Sequence, residues 1–335
     1  MLHLLAPRLG LTLHALSIDH GLRQESAEDT EFTLQLCRNL DIPCAVRQAD
    51  VRGMTESSGI GIEDAARRLR YALLEQERAA VGADFIALGH HAGDVSEDVL
   101  LRLTRGTGWP ALGGMTARDS ERRLLRPLLA TDPQALRQFL GQCGIGWRED
   151  ASNQSRHFKR NRLRLDVLPL LRDENPSLDR TLHDLWQMAR LDEDYWNTTL
   201  DAALAAHPWV ENGGGIGPAE KAGAAEAPSL TLPAALLAGL HPAARLRLYM
   251  RAVRWLCRPA GDGGCAEAES TGCGGSGGNA ESTVQLHGQA RARTLLALDD
   301  ALASGRGNTR FQLPGGLEAY LKGGSIVFRR CAARG

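Results

Sequence analysis

The sequence predicts an α/β chain: a doubly wound parallel sheet, then a helical second region and a small C-terminal β meander. Three observations lead there. Short apolar runs of strand length, at residues 11–18, 44–49 and 85–88, alternate with amphipathic stretches at 28–40, 62–80 and 96–104. Strands alternating with helices imply crossover connections, hence a parallel sheet with its site at the strand C-termini. From Asn175 onward the alternation stops, and helical spacing prevails over 178–206 and 242–257.

Each element has its own signal. Residues 11–18 alternate enough for a strand that runs into Asp19-His20, and 44–49 repeats the pattern after the helix at 28–40. The run 85–88 is continuously apolar and closed by Gly89, as a buried parallel strand would be. If the following helix begins near His91, then His90, Asp94 and Glu97 stand at i, i+4 and i+7 and share one face. A further helix is expected at 133–143. Residues 212–228 are Gly/Ala/Glu-rich and separate the two later helices, while 261–282 holds little to bury and reads as a disordered surface insertion. Residues 309–330 alternate around Pro314-Gly315-Gly316 and Gly323-Gly324, as an antiparallel meander does. Two domains follow, 1–175 and 176–335.

Composition narrows the function classes. At 335 residues, with 43% hydrophobic and 24% charged residues, the chain can build a sizeable core. A formal net charge of −1 gives no global pull toward nucleic acid, so any such binding must come from clustered arginine. No apolar stretch approaches the roughly 18 residues of a membrane span, and the N-terminal residues lack a basic leader, so the expectation is a cytoplasmic protein that binds no membrane. Seven cysteines without a C-x-x-C pair argue against a structural zinc site or a disulfide framework; Cys265 and Cys273, in the Gly-rich stretch, are read as minor thiols.

Four constellations can carry chemistry. Asp94 and Glu97, one turn apart beside His90-His91 at a strand end, suit a metal ion or the ammonium of an amino substrate; the alternative is a solvated helix face. No closed set of zinc ligands is visible, so an oxygen-seeking cation such as magnesium is favoured over zinc. Arg105-Gly106-Thr107-Gly108 through Gly113-Gly114 can bring backbone N–H groups and a guanidinium to a phosphate, although glycine-rich helix exits are common. The strip Arg156-His157-Phe158-Lys159-Arg160-Asn161-Arg162-Leu163-Arg164, opposed nearby only by Asp166, can track an RNA backbone or be a solvated helix start. Arg67 and Arg70 lie one turn apart on the 62–80 helix.

Together, Asp19-His20-Gly21-Leu22-Arg23-Gln24-Glu25-Ser26, Ala66-Arg67-Arg68-Leu69-Arg70-Tyr71, Gly89-His90-His91 with Asp94 and Glu97, and Arg105-Gly106-Thr107-Gly108 resemble the tRNA(Ile)-lysidine synthetase family of N-type ATP pyrophosphatases. Arg126-Pro127-Leu128-Leu129, Glu149-Asp150-Ala151-Ser152-Asn153, Arg160-Asn161-Arg162 and Leu168-Pro169-Leu170-Leu171 extend the likeness in order and spacing, and Leu313-Pro314-Gly315-Gly316 is a later echo. The resemblance implies an adenine nucleotide alpha-hydrolase-like fold and an enzyme that uses ATP and Mg2+. Such an enzyme adenylates the wobble cytidine of tRNA(Ile) with a CAU anticodon, after which the L-lysine ε-amine displaces AMP to form lysidine. It implies lysine recognition by Asp94, Glu97 and His91, with Asp94, Glu97 and Arg162 as the catalytic set. Nucleotide contacts fall on Asp19, His20, Arg67 and Gly89, tRNA contacts on Arg105, Arg160, Arg162 and Arg164, and no residue is assigned to a metal. A homodimer is the assembly to test for.

The sequence departs from the family pattern at three places. The Ser-Gly-Gly-x-Asp-Ser phosphate loop is absent, because Met1-Leu2-His3-Leu4-Leu5 matches the helix just after it; the expectation is a start codon placed too late or a truncated gene. Gly93 and Val95 stand where the family carries Asp and Gln. Residues 261–282 read as an insertion, and the expectation is a chain without the extra C-terminal domain of some members. A tRNA thiolase would need activating cysteines in C-x-x-C spacing, which the sequence lacks; a truncated, non-catalytic tRNA-binding homologue is the competing reading.

Overall fold

A computed structural model describes residues 1–20, 26–149, 151–212, 228–257, 289–313 and 316–331. The sequence features at 21–25, Asp150, most of 212–228, 261–282 with Cys265 and Cys273, Pro314-Gly315 and the last four residues lie outside that set. The described residues form two compact units. One comprises Met1–Asp94 with Ala117–Pro169, and the other comprises Val95–Thr116 with the described residues from Leu170 onward.

The first unit is α/β. It opens with α1 (Leu2–Leu9), followed by β1 (Ala15–Asp19), α2 (Ser26–Asn39) and β2 (Cys44–Gln48). β1 and β2 pair in parallel from Ala15↔Cys44 to Asp19↔Gln48, with α2 as the crossover. Next come α3 (Val51–Ser58) and α4 (Ile62–Ala80). Asp50 caps α3 by accepting the Gly53 N–H at 2.8 Å, and α4 carries Glu63 and Asp64 in its first turn and Arg78 in its last, matching the helix dipole at both ends. Ala49, Val51 and Ala65 form a small buried core with Ile18, Met54, Leu69 and Leu73 around it.

β3 (Ile86–Ala87) leads into α5 (Ala92–Thr104), whose first turn closes the first stretch of this unit. β4 (Arg118–Asp119) and β5 (Leu124–Leu125) follow; β5 pairs in parallel with β3 and antiparallel with β4. A parallel bridge between His91 and Leu128 prolongs the β3–β5 ladder to the start of α5. The remaining elements here are α6 (Pro133–Gln142), capped by Asp132 with Pro133 in its first turn, and α7 (Lys159–Arg162). α7 runs into a π turn at Leu163–Val167 and then α8 (Leu168–Glu174).

The expected buried strand at 85–88 is only partly buried: Ile86 is covered, but Ala87 is exposed. Among the described strands β3 has a neighbour on one side only, and β1 and β2 form a separate ladder. α4 packs against both β1 and β3. Burial beneath these strands also takes in Glu77, whose carboxylate meets His14 at 3.0 Å and Arg47 at 2.7 Å, so the buried charge is paired.

The second unit is built on α9 (Leu178–Ala206) and a C-terminal sheet. A 3-10 turn at Ala111–Gly113 packs on α9, and Trp186 Nε1 donates to the Met115 carbonyl at 2.8 Å. This packing groups residues 95–116 with the later part of the chain, so the units do not follow the expected 1–175 and 176–335 division. Beyond α9 come β6 (Val210–Asn212), β7 (Ser229–Leu232), α10 (Ala234–Ala238), α11 (Pro242–Leu256) and α12 (Gln289–Ala303). β8 (Arg310–Leu313), β9 (Leu317–Lys322) and β10 (Ser325–Arg330) form the predicted meander. It is part of a larger antiparallel sheet of five strands in the order β6-β7-β10-β9-β8. The sequence reading missed β6 and β7 because they border the Gly/Ala/Glu-rich stretch and are short.

Leu230, Leu232, Ala319, Leu321, Ile326 and Phe328 of the sheet bury against Leu248, Tyr249 and Ala252 of α11 and Leu298 of α12. Asp299 lies within this core, accepting from Arg245 at 2.7 and 2.8 Å and from the Tyr249 hydroxyl at 2.8 Å. Burial, reinforced by that hydrogen bond, pushes the Tyr249 phenol far above its ordinary range. Replacing Asp299 with Ala strands the buried Arg245 charge and is expected to cost about 3–5 kcal/mol, whereas Tyr249→Phe should cost about 1 kcal/mol. Urea denaturation of both variants measures the difference.

Candidate functional site

The strand ends of the first unit carry Asp19, His20 and Gly89, three of the predicted residues. Asp19 closes β1, and its carbonyl accepts the Ala49 N–H at 2.8 Å, with His20 next in the chain; both are half-buried. Arg67, half-buried on α4, lays its guanidinium 5.1 Å from the Tyr71 ring centre. Gly89 follows β3 in an exposed position with nothing within 4 Å of where a Cβ would stand.

α5 begins at Ala92, so His90 precedes the helix and does not share a helical face with Asp94 and Glu97, contrary to the expected i, i+4, i+7 alignment. The bridge to Leu128 and the Ala92 N–H bond to the Thr131 carbonyl at 3.0 Å keep residues 90 and 91 in extended backbone up to that point. Asp94 and Glu97 are one turn apart on α5, 9% and 3% exposed, which rules out a solvated face.

Asp94 is held from both sides within its unit. Its Oδ2 accepts the His91 backbone N–H at 2.8 Å, and its Oδ1 accepts from Arg160 Nη2 at 2.6 Å, with Arg164 Nη2 at 3.9 Å. The His91 ring folds over Gly93, with Nδ1 3.1 Å from the Gly93 nitrogen and 3.4 Å from Asp94 Oδ2. A Cβ at position 93 would come within 3.0 Å of that ring, which gives the glycine a local reason: a side chain there must push the imidazole aside. Val95, the other departure from the family pattern, is buried at 2% exposure in the second unit.

The basic strip divides by partner. Arg156 pairs with Asp166 at 2.9 Å, and Arg162 is exposed and donates to the carbonyls of Arg156 and His157, both at 2.9 Å, closing its own turn. The buried Asn161 amide donates to the Ser155 carbonyl at 2.9 Å. Arg160 and Arg164, four residues apart, reach Asp94 instead.

In the second unit Glu97 has a set of neighbours that the sequence reading did not find. Ser96 Oγ donates to Asp179 at 2.8 Å, and Arg172 donates to the same carboxylate from Nε at 2.8 Å and Nη2 at 3.0 Å. The hydrogen bond from Arg172, then that from Ser96, holds the Asp179 carboxyl below its usual range; Asp179, and to a smaller extent the Glu97 charge, raises Arg172. Asp179 was legible only as an acid in the first turn of the helix after Asn175-Pro176. Arg105, half-buried, ends the α5 region with its N–H on the Arg102 carbonyl at 3.1 Å. Of the glycines after it, Gly114 has φ 56°, and a Cβ there would lie 2.0 Å from Asp98 Oδ2. Its reason is therefore the Asp98–Arg102 ion pair, at 2.9 Å, that passes over it.

No group of three or more His, Cys, Asp or Glu side chains placed for a metal ion occurs among the described residues. The five described cysteines are thiols rather than disulfide halves, and burial pushes the Cys44 thiol up to about 11. No described helix is long and apolar enough to cross a membrane.

Comparisons with known proteins bear on the class of this α/β unit. The PP-loop domain model, of the ATP-binding family ATP_bind_3, matches residues 1–171, which sets the class. The tRNA(Ile)-lysidine synthase of Nitratidesulfovibrio vulgaris is 44% identical over 332 residues, covering 98% of this chain and 86% of that protein. That of Solibacter usitatus is 37% identical over 207 residues, 61% of this chain and 46% of its own length. Among solved structures, U34-tRNA thiolase NcsA from Methanococcus maripaludis with its [4Fe-4S] cluster is 14% identical, with a TM-score of 0.45 over 53% of this chain and 62% of that one. The chain belongs to the tRNA(Ile)-lysidine synthase family of PP-loop proteins.

Because Asp179 titrates below its unfolded value, its contribution to stability is complete above the unfolded pKa and lost as pH falls through the folded one. Arg172→Ala is expected to move the Asp179 midpoint upward toward the ordinary carboxylate range and to shift the acid limb of stability to higher pH. Carboxylate NMR titration of the two proteins tests it; an unmoved midpoint counts against the pairing.

Proposed function

We propose that this chain is a tRNA(Ile)-lysidine synthase. It is an ATP-dependent ligase that adenylates the wobble cytidine of a CAU anticodon, releasing pyrophosphate, and then joins the ε-amine of L-lysine to the base with loss of AMP. One observation carries the residue-level reading: in a member of this family, Asp94 and Glu97 stand buried and one turn apart on α5. Two buried carboxylates at a strand end favour a cation, and lysine brings one. Asp94, Glu97 and His91 are the lysine contacts in this reading. His91 acts by fixing the first turn of α5 through its N–H to Asp94.

Asp19, His20, Arg67 and Gly89 are the proposed nucleotide contacts. Gly89 leaves open space beside the backbone, and Asp19 and His20 occupy a strand C-terminus, where α/β sheets place ligands. Arg105, Arg160, Arg162 and Arg164 are the proposed phosphate or tRNA contacts, with Arg162 also in the catalytic set. ATP chemistry of this kind uses magnesium to neutralise phosphate charge. A magnesium ion of this kind needs one or two carboxylates at most beside the phosphate oxygens. These substrates are cytoplasmic, and that is where the activity belongs.

The test separates the two half-reactions. With ATP, magnesium and tRNA(Ile), pyrophosphate release without lysine reports adenylation, and labelled lysine in tRNA reports ligation. Asp94→Asn and Glu97→Gln are expected to lower kcat/KM for lysine by roughly 30-fold or more, the lower end for removing a buried charged partner, while leaving the adenylation step in place. Binding of tRNA with a salt-dependent affinity but no pyrophosphate release in the unaltered chain would instead mark a tRNA-binding homologue without catalysis.

A further inference from the structure

Resting on the reading of Asp94 as a lysine contact, the geometry raises a question of occupancy. Both Asp94 oxygens already accept a hydrogen bond within its own unit: Oδ2 from the His91 N–H at 2.8 Å and Oδ1 from Arg160 at 2.6 Å, and the side chain is 13% exposed. An ammonium ion reaching Oδ1 must share it with a guanidinium or displace it. Sharing places two like charges side by side in a site largely shielded from water, where they repel. Displacement is the favoured course.

What could draw Arg160 away follows from its chemistry. A guanidinium fork pairs best with carboxylate or phosphate. Arg160 is 29% exposed on a short helix and reaches Asp94 across 66 residues of sequence, so its guanidinium is accessible to a ligand from outside while it holds that carboxylate. We infer that Arg160 is an internal competitor for the lysine ammonium at Asp94 Oδ1, released when a phosphate group takes up its guanidinium. Phosphate binding and lysine binding are then coupled. Because coupling is reciprocal, lysine tightens the phosphate ligand by the factor by which that ligand tightens lysine. The phosphate can belong to the nucleotide or to the tRNA backbone.

The experiment is calorimetric titration of L-lysine into the full chain, alone, with a non-hydrolysable ATP analogue, and separately with tRNA(Ile). Arg160→Gln is expected to bind lysine roughly fivefold or more tightly than the unaltered chain with no phosphate ligand present, at the low end of typical coupling. Arg160→Lys, which keeps a cation but loses the fork, should fall between them and serves if the glutamine variant does not fold. The ligand that tightens lysine binding in the unaltered chain, and no longer does so in Arg160→Gln, identifies the phosphate source. Lysine affinity unchanged or weakened in the Arg160 variants, with Asp94→Asn abolishing binding, overturns the inference and makes Arg160 a fixed partner of Asp94. No effect of either phosphate ligand on the unaltered chain overturns the coupling. Lysine affinity unchanged in Asp94→Asn overturns the lysine assignment itself.

Discussion

A carboxylate that is 9% exposed cannot stay ionised without compensation, and the surroundings of Asp94 are arranged around that requirement. The β3–β5 ladder, prolonged by the bridge between His91 and Leu128, brings the chain to the start of α5 as extended backbone. The His91 N–H, which a continuous helix would have used elsewhere, is thereby available to Asp94, as at any helix start whose first amides lack carbonyl partners. The basic strip then contributes two arginines from a distant part of the sequence. Strand end, helix start and basic strip are thus joined through one side chain, and the chemistry proposed for the site uses the same one.

Glu97 meets the same requirement by other means. It lies one turn on, at 3% exposure, in the unit where Arg172 is held by a bidentate pair to Asp179 and Asp179 in turn by Ser96. Two neighbouring acids on one helix therefore sit in different charge environments. Asp94 has guanidinium contacts drawn from the basic strip, while Arg172, which feels the Glu97 charge, is itself tied to another acid.

Much of this was legible in the residues. The helices at Ile62–Ala80 and Leu178–Ala206 were read with the bounds they have, because long amphipathic periods with acidic first turns leave little choice. The family motifs also located Asp94 and Glu97 and the arginines near them. The sequence did not reveal which arginine serves which acid. Arg156, Arg160, Arg162 and Arg164 look alike in a basic run, and only the fold distinguishes a partner of Asp166, a turn-closing donor and two partners of Asp94. Short elements such as β4 and β6 were missed for a related reason: two or three residues carry no periodicity, and their pairing is decided by neighbours far along the chain. Gly93 was an unexplained departure in sequence and became intelligible once the imidazole was seen to lie across it.

The π turn at Leu163–Val167 gives the basic strip its phase. A π turn holds one more residue than an α turn, and one residue is worth about 100° of rotation around the axis. The wide turn spends that extra residue within one full circle, so the turns on either side keep the phase they would have without it. Drawing the same residues into ordinary α-helix would instead swing Arg160 about a quarter of a turn relative to the buried Leu168. The hydrogen-bond pattern of these five residues therefore acts as an angular setting.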